Sequence, residues 1–250
     1  MTGPPVGWLA RGALGVALAQ WGPALTSVPH LRRALAPRLS GIVAAPRVAL
    51  TYDDGPDPAS TPHFLALLER HDVQATFFLL GAHVQENAAL VREMSAAGHE
   101  LAVHGWDHRC LARKRPGTLA HELRSTRCLV EDVAQVAVTR YRPPYGVLTG
   151  EGLLASRRAG LETVLWSAWG RDWSARATPG GIARKVSRAL RPGGTVLLHD
   201  TDRTSSPGSW RHTLTASELL LSRWSDAGLV VGPLAGHADG HRIVEPMLAP

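Results

Sequence analysis

The sequence predicts an α/β fold built on a parallel sheet. Three observations carry that prediction. Short apolar runs alternate with helix-like segments along most of the chain. Each connection between runs is too long for a hairpin and long enough for a helical crossover. Polar residues recur where the apolar runs stop, as they do when parallel strands end together at one mouth.

Strands are expected at 48–52, 75–80, 100–104, 139–142, 161–166, 195–199 and 229–231. The first helix is expected at 61–70, with Thr61 as N-cap and Pro62 at the first helical position. Further helices are expected at 87–97, stopped by Gly98, and at 118–134, 150–159, 179–190 and 213–227, the last stopped by Gly228. Seven strands fit a small β/α barrel or an open doubly wound sheet. No Gly-x-Gly-x-x-Gly turn follows the first strand, which weighs against a dinucleotide site.

A chain of 250 residues that is 44% hydrophobic fits one core domain. We place it at 46–235, between an N-terminal extension at 1–45 and a tail at 236–250. The net charge of +6 is almost all arginine, because lysine occurs only at 114 and 185. With abundant Ala, Gly and Pro, this reads first as base composition rather than as an anionic partner. No basic stripe interleaved with aromatics is present, so nucleic acid is not an expected partner. Cys110 and Cys128 form neither a close ligand pair nor a disulfide framework.

The extension is apolar over 7–28, but Arg11, Gln20 and Pro23 interrupt it, and it falls short of the roughly 20 clean apolar residues of a membrane span. The stretch 12–19, with Ala17-Leu18-Ala19, is a weak signal-peptide pattern with a poorly charged start. Packing against the outside of the domain is expected, with no direct part in catalysis. Membrane-surface contact is the alternative, and the compartment, cytoplasm or cell envelope, stays open.

The chemistry lies at the strand ends. His104 and His108 are four apart, a spacing that lets two imidazoles reach one ion. Asp53 and Asp54 end another strand. Together they supply a one-carboxylate, two-imidazole set that leaves positions open for water and substrate. The remaining aspartate is then a base for the attacking water. Two adjacent carboxylates repel, and Arg142, after a third strand, is the candidate to relieve that. His199 ends the most hydrophobic late strand and suits a proton donor. Asp172 is placed to orient it, and Trp173 to wall the pocket.

In that pattern the region from about 48 to 231 resembles the polysaccharide deacetylase family, the NodB-like proteins of carbohydrate esterase family 4. Five segments match in order: Thr51-Tyr52-Asp53-Asp54-Gly55-Pro56, His104 with His108, Arg142-Pro143-Pro144-Tyr145, Asp172-Trp173, and Leu197 with His199. The resemblance implies a single-domain, distorted (β/α)7 barrel. It implies Asp53 as base, Asp54, His104 and His108 as ligands of one divalent metal, expected to be zinc with other divalent ions compatible, and Arg142 paired with the base. It further implies that the Tyr145 backbone N–H holds the oxyanion, that Leu197 faces the acetyl methyl, and that His199 is the general acid. The expected activity is metal-dependent removal of N-acetyl groups from a sugar or polysaccharide by a monomer. Hydrolysis of another amide or ester in a small acylated metabolite is the runner-up. A dead carbohydrate-binding protein is disfavoured, because the acid, base and ligand positions are intact.

Two positions depart from the family pattern. Gly105 stands where a Ser or Thr usually follows the first histidine, so a hydroxyl that shapes the metal loop is lost. Trp169 stands where an acidic residue usually opens the fourth motif, which implies a changed pocket wall. Asp107 is a competing carboxylate beside the histidines, but Asp54 matches the motif.

Overall fold

The computed structural model of the chain describes residues 6–43, 46–115 and 117–235. The tail at 236–250 lies outside them, as do residues 1–5 and 44–45 of the extension. Among the described residues all strand pairings are parallel. β1 (Arg47–Asp53) lies between β2 (Thr76–Leu80) and β7 (Thr195–His199). On one side follow β3 (Glu100–Gly105), β4 (Arg140–Tyr141) and β5 (Glu162–Thr163); on the other lies β6 (Ala168–Trp169). β1, β2 and β7 are buried almost throughout, because helices cover one face and the barrel interior covers the other. That is why they read as unbroken apolar runs.

The expected strand at 161–166 is two strands at opposite ends of the sheet. The Val164 N–H still bonds Tyr141 of β4, while the Ser167 N–H already bonds Thr195 of β7. Three residues span at most about 11 Å, so the two ends must meet. The sheet curls into a distorted barrel joined there by the chain itself. The N-terminal segment fills the seam. The Leu165 N–H donates to the Leu39 carbonyl, and buried Arg32 donates to the Trp166 carbonyl at 2.6 Å. β8 (Val230–Gly232) pairs with the start of β1, on the side away from β7 and below the point where β2 begins.

Helices α3 (Thr61–Arg70), α5 (Ala88–Ala96), α6 (Thr118–Ala134), α7 (Gly150–Arg158), α8 (Pro179–Ala189) and α9 (Ser209–Asp226) occupy the crossovers, with a short α4 (Gly81–Glu86) that the sequence reading lacks. Two details differ from expectation. Ser60, not Thr61, precedes α3; the Thr61 hydroxyl instead accepts from Asp57 N–H and donates to Asp200. And α9 begins four residues early, at Ser209. The extension forms α1 (Val6–Trp21), a 3-10 turn at Gly22–Ser27 and α2 (Pro29–Leu35).

Candidate active site

The C-terminal ends of the strands open on a cavity of about 390 Å³. Its lining includes Asp53, Asp54, His104, His108, Tyr145, Trp173, Leu197 and His199, so the five segments do converge. Asp53 and His199 are Cα partners on β1 and β7. His104 is aimed by a bulge: Leu79 pairs with Val103 and Leu80 with Gly105, so His104 is the extra residue of β3. Asp54 leaves β1 with φ of 82°, a left-handed conformation that aspartate tolerates better than most residues.

Asp54 Oδ1 lies 3.2 Å from His104 Nε2 and 3.3 Å from His108 Nε2. It is buried and has no hydrogen-bond partner. An orphaned carboxylate oxygen facing two imidazole nitrogens, all within 4.8 Å of one another, fits a divalent cation. The neighbouring groups support that fit. His104 Nδ1 donates to the Arg142 carbonyl at 2.8 Å, which leaves the Nε2 lone pair facing the cluster. Burial, with His104 and His199 nearby, lowers the His108 pKa to about 4 against the pull of Asp54, so its imidazole is a neutral ligand at pH 7. Burial disfavours the charge on Asp54, but the closely approaching His104 imidazole, with His199 and His108 around it, outweighs this and holds its carboxyl well below the usual range.

Two buried ion pairs flank this cluster. The Arg142 guanidinium, completely buried, donates to Asp53 at 2.6 Å and to Thr51 Oγ1 at 2.7 Å. Its other nitrogens bond the Val164 and Leu165 carbonyls, and it lies 3.9 Å above the Phe78 ring. His199 Nδ1 bonds Asp172 Oδ1 at 3.0 Å; the other Asp172 oxygen accepts from the His199 backbone and from Thr213. Burial disfavours the imidazolium of His199. Asp172, then Asp54 and Asp53, overcome this and raise its pKa to about 10. Such a group carries a proton at neutral pH and can give it up.

Tyr145 sits on the turn after Arg142 at φ 61°, its ring 4.5 Å from that of His108. Trp173 is half exposed at the rim, and Leu197 is buried at the floor. Trp169 joins Trp166 and Trp173 in one aromatic wall, and the indole N–H of Trp169 is buried without a partner. Asp107 is turned away from the cluster. It bonds Lys114, which also holds Glu122 of α6. Gly105 has φ of 109°, where an L side chain is strained, although a Cβ would meet only the Asp107 carbonyl at 3.5 Å. Backbone conformation, not space, favours glycine at this position.

Several contacts have no counterpart in the sequence reading. The Thr204 hydroxyl donates to Asp54 Oδ2, and His83 Nδ1 donates to the Asp54 carbonyl at 2.8 Å. Ser27 of the extension lines the cavity, so that segment contributes an edge to the cavity wall. Asp200, fully buried, bonds Thr61; burial and the charge of Asp54 raise its pKa to about 7.

Comparison with known proteins places this geometry. Residues 41–164 match the family model described as polysaccharide deacetylase. A chitooligosaccharide deacetylase of a Bradyrhizobium strain is 38% identical over 198 residues, which is 75% of this chain and 88% of that protein. A solved peptidoglycan N-acetylglucosamine deacetylase superposes with a TM-score of 0.72 at 28% identity, covering 80% of this chain and 91% of that one. A CE4 family pseudoenzyme from Bacillus anthracis superposes at 0.69 and 26%, covering 77% and 65%. Fold alone thus does not separate active from inactive relatives. The match in sequence across most of that deacetylase's length does settle the kinship: the chain belongs to the polysaccharide deacetylase family and, with the relatives named as deacetylases, to the hydrolases acting on carbon–nitrogen bonds.

Proposed function

We propose that this protein removes the acetyl group from an N-acetylated amino sugar within a glycan or glycoside, with a divalent metal, zinc foremost, held by Asp54, His104 and His108. One observation carries the reading: the orphaned Asp54 oxygen and two imidazole nitrogens converge in the cavity flanked by the Arg142–Asp53 and Asp172–His199 pairs. When bound, the cation polarises the amide carbonyl and acidifies a water. Asp53, held by Arg142, accepts the proton of the attacking water. The Tyr145 backbone N–H is the candidate donor to the oxyanion. His199, held by Asp172, protonates the departing nitrogen. Leu197 and Trp173 enclose the acetyl methyl.

The relatives named above are called deacetylases of chitooligosaccharide and of peptidoglycan N-acetylglucosamine, and these two substrate classes lead the candidates. A second reading, a small N-acylated glycoside, draws on the Trp166–Trp169–Trp173 wall and on Ser27, which give one side of the cavity an apolar face and an added edge. Acetate release from chitooligosaccharides, N-acetylated peptidoglycan and simple N-acetyl glycosides, with and without chelator, tests both. Release that a chelator abolishes and zinc restores supports the proposal. No release from any of them, or release indifferent to chelator, overturns it.

A further inference from the structure

The extension holds a physical contradiction. α1 contains one charged residue, Arg11, in sixteen. So apolar a helix is expected to bury its large side chains against a core or a membrane. Yet Leu14, Val16 and Leu18 are 62%, 70% and 62% exposed, and residues 14–19 are all exposed. Leu14, Leu18 and Trp21 fall at i, i+4 and i+7, so they form one stripe, which exposed Leu25 continues. α1 meets the body near its end. The Glu151 N–H donates to Gln20 Oε1 at 3.0 Å, and Gly150 admits the Ala19 carbonyl so closely that a Cβ would clash with it.

The charge is equally uneven. Residues 1–52 hold five arginines and no aspartate or glutamate, so nearly all of the net +6 resides there. Base composition alone gives no reason for that asymmetry; adsorption to an anionic surface does. Arg32 is used internally, whereas Arg33 and Arg38 are exposed.

We infer that α1, with the exposed arginines behind it, is an interfacial anchor that lies in the surface of an anionic phospholipid bilayer. The sixteen described residues of α1 make a helix of about 24 Å, short of the ~30 Å hydrocarbon layer, so we place it along the surface on its Leu14–Leu18–Trp21 stripe rather than crossing. Trp21 suits the headgroup level. The anchor also fixes an orientation. α7, which α1 touches, begins just after the Tyr145 turn, and Ser27 lines the cavity, so α1 leaves the body on the mouth side. Docking would hold the mouth next to the bilayer. The inference rests on exposure and charge, and it does not depend on which bond the enzyme cleaves.

The test is sedimentation of the full chain with vesicles of equimolar phosphatidylglycerol and phosphatidylcholine, and with vesicles of phosphatidylcholine alone. Expected is binding to the mixed vesicles that weakens in high salt, with far less binding to the neutral ones. The double variant Leu14→Glu/Leu18→Glu should bind at least about tenfold less while melting at the wild-type temperature. If that pair unfolds, Val16→Glu alone carries the test. Absence of binding to the mixed vesicles, equal binding to both, or undiminished binding by the variants overturns the inference. So does light scattering that shows a wild-type dimer which the variants convert to monomer, because a second copy would then be the occupant.

Discussion

Arg142, fully buried, binds Asp53 at 2.6 Å where Asp53 lines the cavity, and its remaining donors reach Thr51, Val164 and Leu165. One side chain therefore ties the candidate base on β1 to the seam where the barrel closes. Arg142→Lys keeps the charge and loses the planar fork. The variant should lose about 1–3 kcal/mol of stability, the usual cost of leaving a buried acceptor without its donor, here the Val164 or Leu165 carbonyl. Its turnover should fall at least about a hundredfold, in line with the worth of a positioned proton-transfer group. Thermal melts and acetate release measure both. A variant with wild-type activity would remove Arg142 from the mechanism.

The Asp172–His199 pair sets a pH dependence. The group that must donate a proton is lost once pH rises through its pKa. Burial lowers that pKa, and the raising effect comes first from Asp172, which outweighs burial. Asp172→Asn should therefore move the alkaline limb of the rate profile to lower pH. A bound cation would shift wild type and variant alike, so the difference between their profiles is the measurement. Coincident alkaline limbs would show that Asp172 does not tune the acid.

Asp54 supplies the only carboxylate of the candidate metal set. Asp54→Asn leaves two imidazoles and an amide, so zinc retained after dialysis should fall at least about tenfold, as losses of metal-site contacts commonly do. Adding zinc to the metal-free wild type should raise its melting temperature, by about 2.7 kcal/mol of stabilisation at a hundredfold excess over the dissociation constant. The Asn variant should show little of that rise.

The strand cores and the site were legible for different reasons. β1, β2 and β7 show as apolar runs because both faces are buried, and their ends carry Asp53, Asp54 and His199. β6 was not legible. It is two residues long, and the amide just before the switch bonds Leu39 of a segment far away in sequence. The extension read as a strip to be packed, yet only its later part is: Arg32 and Leu39 fill the seam, while Leu14 to Leu18 stay outside. Thr204 touches Asp54 from a loop with no motif of its own, so spacing could not single it out.

His99 gives an acid-stability prediction. Burial lowers its pKa to about 4, and its Nδ1 accepts from the Ala75 N–H, which needs a neutral ring. The folded form thus holds the proton less tightly than the unfolded chain. Its contribution is fully present above about pH 6.5 and is lost as pH falls toward 4, amounting to about 3 kcal/mol. His99→Gln keeps an acceptor without titrating. Urea melts between pH 7 and 4 should show a shallower decline for the variant; parallel declines would refute the assignment.

Lys114 bears on the missing hydroxyl at Gly105. The loop from Gly105 to His108 leaves β3 with φ of 109° at Gly105, a conformation that glycine accepts easily. Lys114 is one of two lysines in the chain, and its side chain is only 6% exposed. It clamps Asp107, next to His108, to Glu122 on α6. We expect that clamp to hold the loop where the family pattern has a hydroxyl. Lys114→Met fills similar space without the charge. Zinc affinity should fall about 10–100-fold, the range typical of groups that orient a ligand, while affinity for a nonhydrolysable sugar measured at saturating zinc should hardly change. Lys114→Arg, which can still bridge both carboxylates, should recover most of the zinc affinity. If Lys114→Met bound zinc as tightly as wild type, the loop would need no clamp, and the glycine would be neutral for metal binding.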